Sequence, residues 1–166
     1  MAGMRGRVAA GMIVSLAALG LAGCGGDGTT ITTDDATVTL NEDDNQIEVQ
    51  SSDGTTTVTG SEGKLPDGWP SQIQIPAGGT ISGAVAVTSQ GKEGWTLSVT
   101  YPDTAPADLT DTVSNSLKDA GLASKGSFTT DEGSMTSWEG DGLIVTALVG
   151  KEDSGSTLVL SVSNQE

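Results

Sequence analysis

All five aromatic residues of this 166-residue chain, Trp69, Trp95, Tyr101, Phe128 and Trp138, lie after residue 64. Rings carry a large share of the apolar area that a small domain can bury. The core must therefore be assembled from roughly the last hundred residues, which is enough for one domain. The first 64 residues hold no ring and need a different explanation.

Arg5 and Arg7 give the N-terminus a short positive start, and Val8 to Leu21 are 14 uncharged, mostly apolar residues. A bilayer-spanning helix needs about 20, so the run has the length of a signal-peptide apolar region. It ends in Leu21-Ala22-Gly23-Cys24. This box resembles the lipobox of bacterial lipoprotein precursors, in which leucine and two small residues precede an invariant cysteine. The resemblance implies a signal peptide over 1–23, cleavage between Gly23 and Cys24, and a diacylglycerol on the Cys24 thiol. The chain would then be held on the extracytoplasmic face of the cell membrane. The residue types suit that chemistry, since small side chains let extended backbone enter a protease site and a thiol forms the thioether. More than one acyl chain, at about 0.8 kcal/mol per buried methylene, anchors stably where one is marginal. A lone cysteine is otherwise a small buried hydrophobe, but Gly25-Gly26-Asp27-Gly28 offers it no core. Gly6 separates the two arginines, so a twin-arginine signal is not indicated.

Charge sharpens the picture. The chain has 22 acids against 7 bases, a formal net charge of −15. Loss of Arg5 and Arg7 with the signal leaves 5 lysines against 22 acids, or −17. No nucleic-acid partner is expected, because phosphate binding needs a Lys/Arg footprint. The chain has no histidine, so no histidine triad or zinc site can form, and its one cysteine cannot make an internal disulfide.

Between Cys24 and Glu62 there are nine acids and no base. Low hydrophobicity with uncompensated charge predicts an acidic, Thr/Gly-rich tether over 24–64. Thr37–Leu40 and Gln46–Val49 alternate with period two, and Thr55–Thr59 follows a turn signal at Ser52-Asp53-Gly54, so the tether is expected to carry nascent or partly docked strands. Roughly 38 residues of it would reach about 130 Å extended or about 35 Å as a coil, lifting a domain clear of the lipid. Glu42-Asp43-Asp44 suggests calcium, but the sixth and twelfth positions from Asp43 are Glu48 and Gly54, which breaks the EF-hand template.

Residues 65–166 are expected to form an α+β domain, an antiparallel meandering sheet with one helix packed on it. In Gly94–Tyr101, Trp95, Leu97, Val99 and Tyr101 alternate with Thr96, Ser98 and Thr100, the pattern of a half-buried strand. Its expected partner is Ile81–Ser89. A helix is predicted after Asp103 or Thr104 as cap, with Pro106 in its first turn, a stripe of Leu109, Val113, Leu117 and Ala120, and a stop at Gly121. Strands are expected near Ser124–Thr129 and Met135–Glu139, and a stronger pair at Leu143–Val149 and Thr157–Ser163. Leu65-Pro66, Pro70, Ile75-Pro76-Ala77-Gly78, the Trp-centred strand and Ala120-Gly121-Leu122 resemble the C-terminal domains of small envelope lipoproteins of high-GC Gram-positive bacteria. That resemblance spans roughly residues 30 to 166 and implies no activity.

Catalytic patterns fail on context. Gly23-Cys24-Gly25-Gly26-Asp27-Gly28 matches GxGxxG, but no strand precedes it and signal cleavage would cut it. Ser61-Glu62-Gly63-Lys64 matches Ser-x-x-Lys, yet glycine and Pro66 argue against the helix that motif needs. The expected role is thus a non-enzymatic binding or structural one in the cell envelope, with no cofactor and no bound metal. Its partners would be the membrane, through the lipid anchor, and an unidentified envelope partner or ligand. Trp69, between Gly68 and Pro70, is the candidate for an exposed ligand contact. Two rivals remain: a small carboxylate-dependent cell-wall hydrolase, using pairs such as Asp131-Glu132 or Glu139-Asp141, and a divalent-cation-binding envelope protein.

Overall fold

The alternation of Trp95, Leu97, Val99 and Tyr101 is realised as β6 (Lys92–Pro102) in the computed structural model, which describes residues 29–33, 35–41, 45–52, 54–61 and 63–165. All four side chains are buried, while Thr96 and Thr100 on the other side are exposed. β6 pairs antiparallel with β5 (Thr80–Ser89) and β10 (Gly155–Asn164). Gln90 and Gly91 both take positive φ, as a two-residue hairpin between twisted strands requires.

Ahead of β5 run β1 (Thr29–Thr32), β2 (Ala36–Asn41), β3 (Gln46–Ser51) and β4 (Gly54–Ser61), each paired antiparallel with the next. After β6 the chain crosses through α1 (Pro106–Asp119) to the far edge. There β7 (Ala123–Thr130), β8 (Gly133–Gly140) and β9 (Leu143–Glu152) meander back until β10 closes on β6. The result is one ten-stranded sheet in the order β1-β2-β3-β4-β5-β6-β10-β9-β8-β7.

The α+β expectation is overturned. Strands hold 62% of the described residues and helix 11%, so the fold is β-rich, with a single short helix. The physical reason lies largely in residues 29–61. One or two branched aliphatic residues per strand make a thin apolar face, but β1, β2 and β4 are rich in threonine, a β-branched strand former. Each strand also satisfies the open hydrogen-bonding edge of the one before it. The expected tether therefore carries β1–β4, and the expected boundary at residue 64 falls between β4 and its own pairing partner β5. The strands expected over Ile81–Ser89, Gly94–Tyr101, Leu143–Val149 and Thr157–Ser163 form, each as part of a longer one.

The helix starts differently from expectation and stops as expected. Neither Asp103 nor Thr104 caps it. Ala105 is the N-cap residue, extended at φ −69 and ψ 145 and without a side-chain cap bond. Pro106 forces that geometry on the residue before it and lacks the N–H that a cap would otherwise satisfy. At the other end Gly121 has φ +84, its N–H donates to Lys118 O, and the Leu122 N–H donates to Leu117 O. These two bonds are the Schellman arrangement, which needs a left-handed residue at that place.

The core lies on one side of β5–β10. Leu109, Val113 and Leu117 of α1 are buried over β7–β10. Over β5 and β6 the cover is the loop 63–79, from which Ile73 is buried and Trp69 and Ile75 pack against the same cluster. Beyond β5 the sheet's polarity reverses. Directly opposed residues of antiparallel strands share a face, so Thr57, Thr59 and Ser61 of β4 continue the core side, facing Thr88, Ala86 and Ala84. The aliphatic residues of β1–β4 instead point away from α1. Leu40, Ile47, Val58 and Val87 form one cross-strand row, and Ile31, Val38 and Val49 form another.

The loop's close approach to β6 explains one glycine. A Cβ on Gly79 would lie 2.5 Å from Val99 Cγ1 and 2.6 Å from Tyr101 Cζ, both held in the core. Gly79→Ala is expected to destabilise the fold by about 1–3 kcal/mol, the usual cost of overpacking. At Gly83 a Cβ would meet nothing within 4 Å, so Gly83→Ala is expected to stay within about 0.5 kcal/mol of wild type. Thermal melts of the two variants check the contrast.

Candidate functional site

The loop 63–79 is built from residues that restrict the backbone. Pro66, Pro70 and Pro76 fix φ at three places, and the Trp69 and Ile73 N–H groups donate to Pro66 O and Pro70 O at 3.2 and 2.9 Å. Three aromatic side chains then tie the loop down, each donating to a backbone carbonyl. Trp69 Nε1 reaches Ile73 O at 2.8 Å, Trp95 Nε1 reaches Asp67 O at 3.0 Å, and Tyr101 Oη reaches Pro76 O at 2.9 Å. Ser116 Oγ on α1 adds a longer bond to Gln74 O. Buried indole and phenol groups need such partners, and the loop carbonyls, outside any sheet, are free to accept.

Beside this strap lies an open depression of about 600 Å³, lined in part by Leu65, Asp67, Trp69, Ile73 and Gln74. Asp67 is the one ionisable side chain among its lining residues. A lone carboxylate beside apolar walls makes no nucleophile–base or acid–base pair.

The structure places the sequence-derived candidates as follows. Gly23 and Cys24 lie outside the described residues, as do Glu42, Asp43 and Asp44. Trp69 is half-buried, with its indole N–H turned inward to Ile73 O, so only part of the ring faces the depression. Trp95 is a core residue, 6% exposed. Glu139 is paired with Lys125 at 3.1 Å. Asp131 and Glu132 form the β7–β8 turn, and Asp141 sits at positive φ in the β8–β9 turn. Ser61 ends β4 while Lys64 is in the following loop, so the two do not share a helix. Among the described residues no group of three or more His, Cys, Asp or Glu side chains could hold a metal ion.

The sequence did not disclose the row Phe128, Met135, Leu148 and Val159, which crosses β7, β8, β9 and β10 on the side away from α1. Phe128 is 64% exposed, Met135 49% and Leu148 48%. Strands near these residues were expected; which residues stand side by side depends on register, and that is fixed only by the turns. Comparison with known protein families, curated proteins and solved structures finds no match to this chain.

Burial pushes the Tyr101 phenol from 10.0 up to about 12. Between those two values the folded chain keeps a proton that the unfolded chain has lost. The tyrosine's contribution to stability is therefore whole below pH 10 and disappears as pH rises through about 12. Wild-type melting temperature should fall across this window, and Tyr101→Phe should flatten the fall while losing about 1 kcal/mol at neutral pH for the missing hydrogen bond. Equal slopes in the two proteins would remove Tyr101 as the cause.

Proposed function

We propose that the mature protein is a lipid-anchored extracytoplasmic lipoprotein whose ten-stranded sheet serves the cell envelope as a binding or structural element without catalysis. The observation that carries the anchor is Leu21-Ala22-Gly23-Cys24 at the end of a 14-residue apolar run behind Arg5 and Arg7. The absence of catalysis is supported by the surface chemistry. The depression beside Trp69 has a single carboxylate among its lining residues, and Glu139 is engaged by Lys125.

The anchor also sets where the sheet stands. Only Gly25 to Gly28 separate Cys24 from the start of β1 at Thr29. At most about 3.6 Å per residue, that link reaches roughly 18 Å. A lipid-anchored chain would hold the β1 edge close to the headgroups, where a 38-residue coil would have held the domain about 35 Å away. The reading thus favours a partner within or near the membrane surface.

Intact-mass measurement of membrane-extracted protein tests the anchor. The expected chain begins at an acylated Cys24, and Cys24→Ala should abolish acylation and processing at that site. A Cys24→Ala protein still cut after Gly23 and still held in the membrane would overturn the reading.

A further inference from the structure

We infer that a second copy of this chain covers the aliphatic face of β1–β5, packing sheet on sheet on the side away from α1. The strands concerned carry one ionisable side chain, Glu48, and it lies on the opposite face, paired across from Thr57. In a chain of net charge −15, two copies can meet there without burying a charge of the described strands. A two-fold contact also asks only that one patch complement itself.

The side chains fit this occupant better than the others. Valine, isoleucine, leucine and threonine on one face, with polar residues on the other, are what the inner layers of a sheet sandwich present. A lipid surface is recognised through Trp, Tyr, Lys and Arg near the headgroups, and β1–β5 contain none of these. β5 points the same way. Its run Ala84-Val85-Ala86-Val87 is apolar on both faces, the signature of a strand covered on both sides. One of those sides faces the core, with Ala84 buried and Ala86 packed against it.

The area is sufficient for a modest interface. Five strands about 4.8 Å apart and six residues at about 3.3 Å each give a footprint near 480 Å². Two copies would bury on the order of 1,000 Å², the lower bound for a specific contact. Ile31 and Ile47, 46% and 40% exposed in the single chain, have the most to gain. In the sequence, acids fall between these strands, at Asp34-Asp35, Glu42-Asp43-Asp44 and Asp53, so screening should help. Association is expected to strengthen with ionic strength.

Sedimentation of the full chain, extracted from membranes in detergent of known bound mass, tests the inference. Two copies per particle are expected, and more of them at higher salt. Ile31→Asp with Ile47→Asp should weaken association at least tenfold. Thr30→Asp with Gln50→Asp adds the same charge to the same strands on the other face, and should leave it unchanged. If the first pair does not fold, Ile31→Thr with Ile47→Thr keeps strand propensity and should still weaken the dimer. A single copy at every concentration would overturn the inference, whether or not vesicles or another envelope protein bind that face. Equal weakening by both aspartate pairs would do the same. The inference does not rest on the lipid anchor, since an unacylated chain is expected to give the same two-copy mass.

Discussion

The β6–β10 ladder is the contact on which the rest of the chain depends. It joins two meanders that follow one another in the chain through the α1 crossover, and it does so with apolar pairs. Leu97 faces Leu160, Val99 faces Leu158 and Trp95 faces Val162, and none of these six is more than 6% exposed. A fully buried aliphatic or aromatic side chain of this size contributes about 1.5–3 kcal/mol. Few other places in the sheet concentrate as much. The ladder also sets the register of everything beyond it. With β6 and β10 locked, α1 must span to the far edge, and Ser156, fully buried, secures the helix entry by donating to Thr104 O at 2.7 Å.

From that centre the sheet grows in two directions under different rules. Toward β7 the core side is apolar and covered by α1. Toward β1 the core side turns to threonine, serine, glutamine and Glu48, on strands that α1 does not contact. A strand can be apolar on either face, but an uncovered face gains nothing from burial. β5 is the hinge between the two regimes, with Ala84 and Ala86 facing the core and Val85 and Val87 facing away. The strap over β5 and β6 is held largely by side chains donating to its backbone carbonyls, so its position follows from Trp95 and Tyr101, which the core has already fixed.

Strand existence was legible where alternation was strong and neighbours were close in sequence. Trp95-Thr96-Leu97-Ser98-Val99-Thr100-Tyr101 announces both its conformation and its buried face, and Gly121 announces the helix end. The extent of the sheet was less legible. Thr37-Val38-Thr39-Leu40 reads as a weak strand because propensity and burial are local quantities. Its ordering depends on the β2–β3, β3–β4 and β4–β5 ladders together. The helix start misled for a local reason, since Asp103 and Thr104 are good caps but Pro106 dictates the backbone of Ala105. At the candidate site, Trp69 was identifiable as a residue held outside a strand by its proline and glycine neighbours. That its N–H would turn inward depended on the carbonyl of Ile73, four residues on, and no pattern of residue types reveals it.

Both edges of this sheet are blunted, which bears on how copies of it can meet. At β7 the register slips between Ser124 and Gly126, and Lys125 stands in the slip, paired with Glu139. A bulge and a charge on an edge strand both obstruct the addition of another strand. At β1 the edge strand is four residues long, followed by Asp34-Asp35, and a short edge offers few ladder bonds to a newcomer. Edge-to-edge growth, the open-ended association that leads to fibres, is thereby discouraged at both ends. Neither device opposes the face-to-face contact inferred for β1–β5, and a two-fold pair through that face would close on itself. A chain with this much threonine and valine in strands has strong reason to restrict its contacts to a mode that ends at two copies.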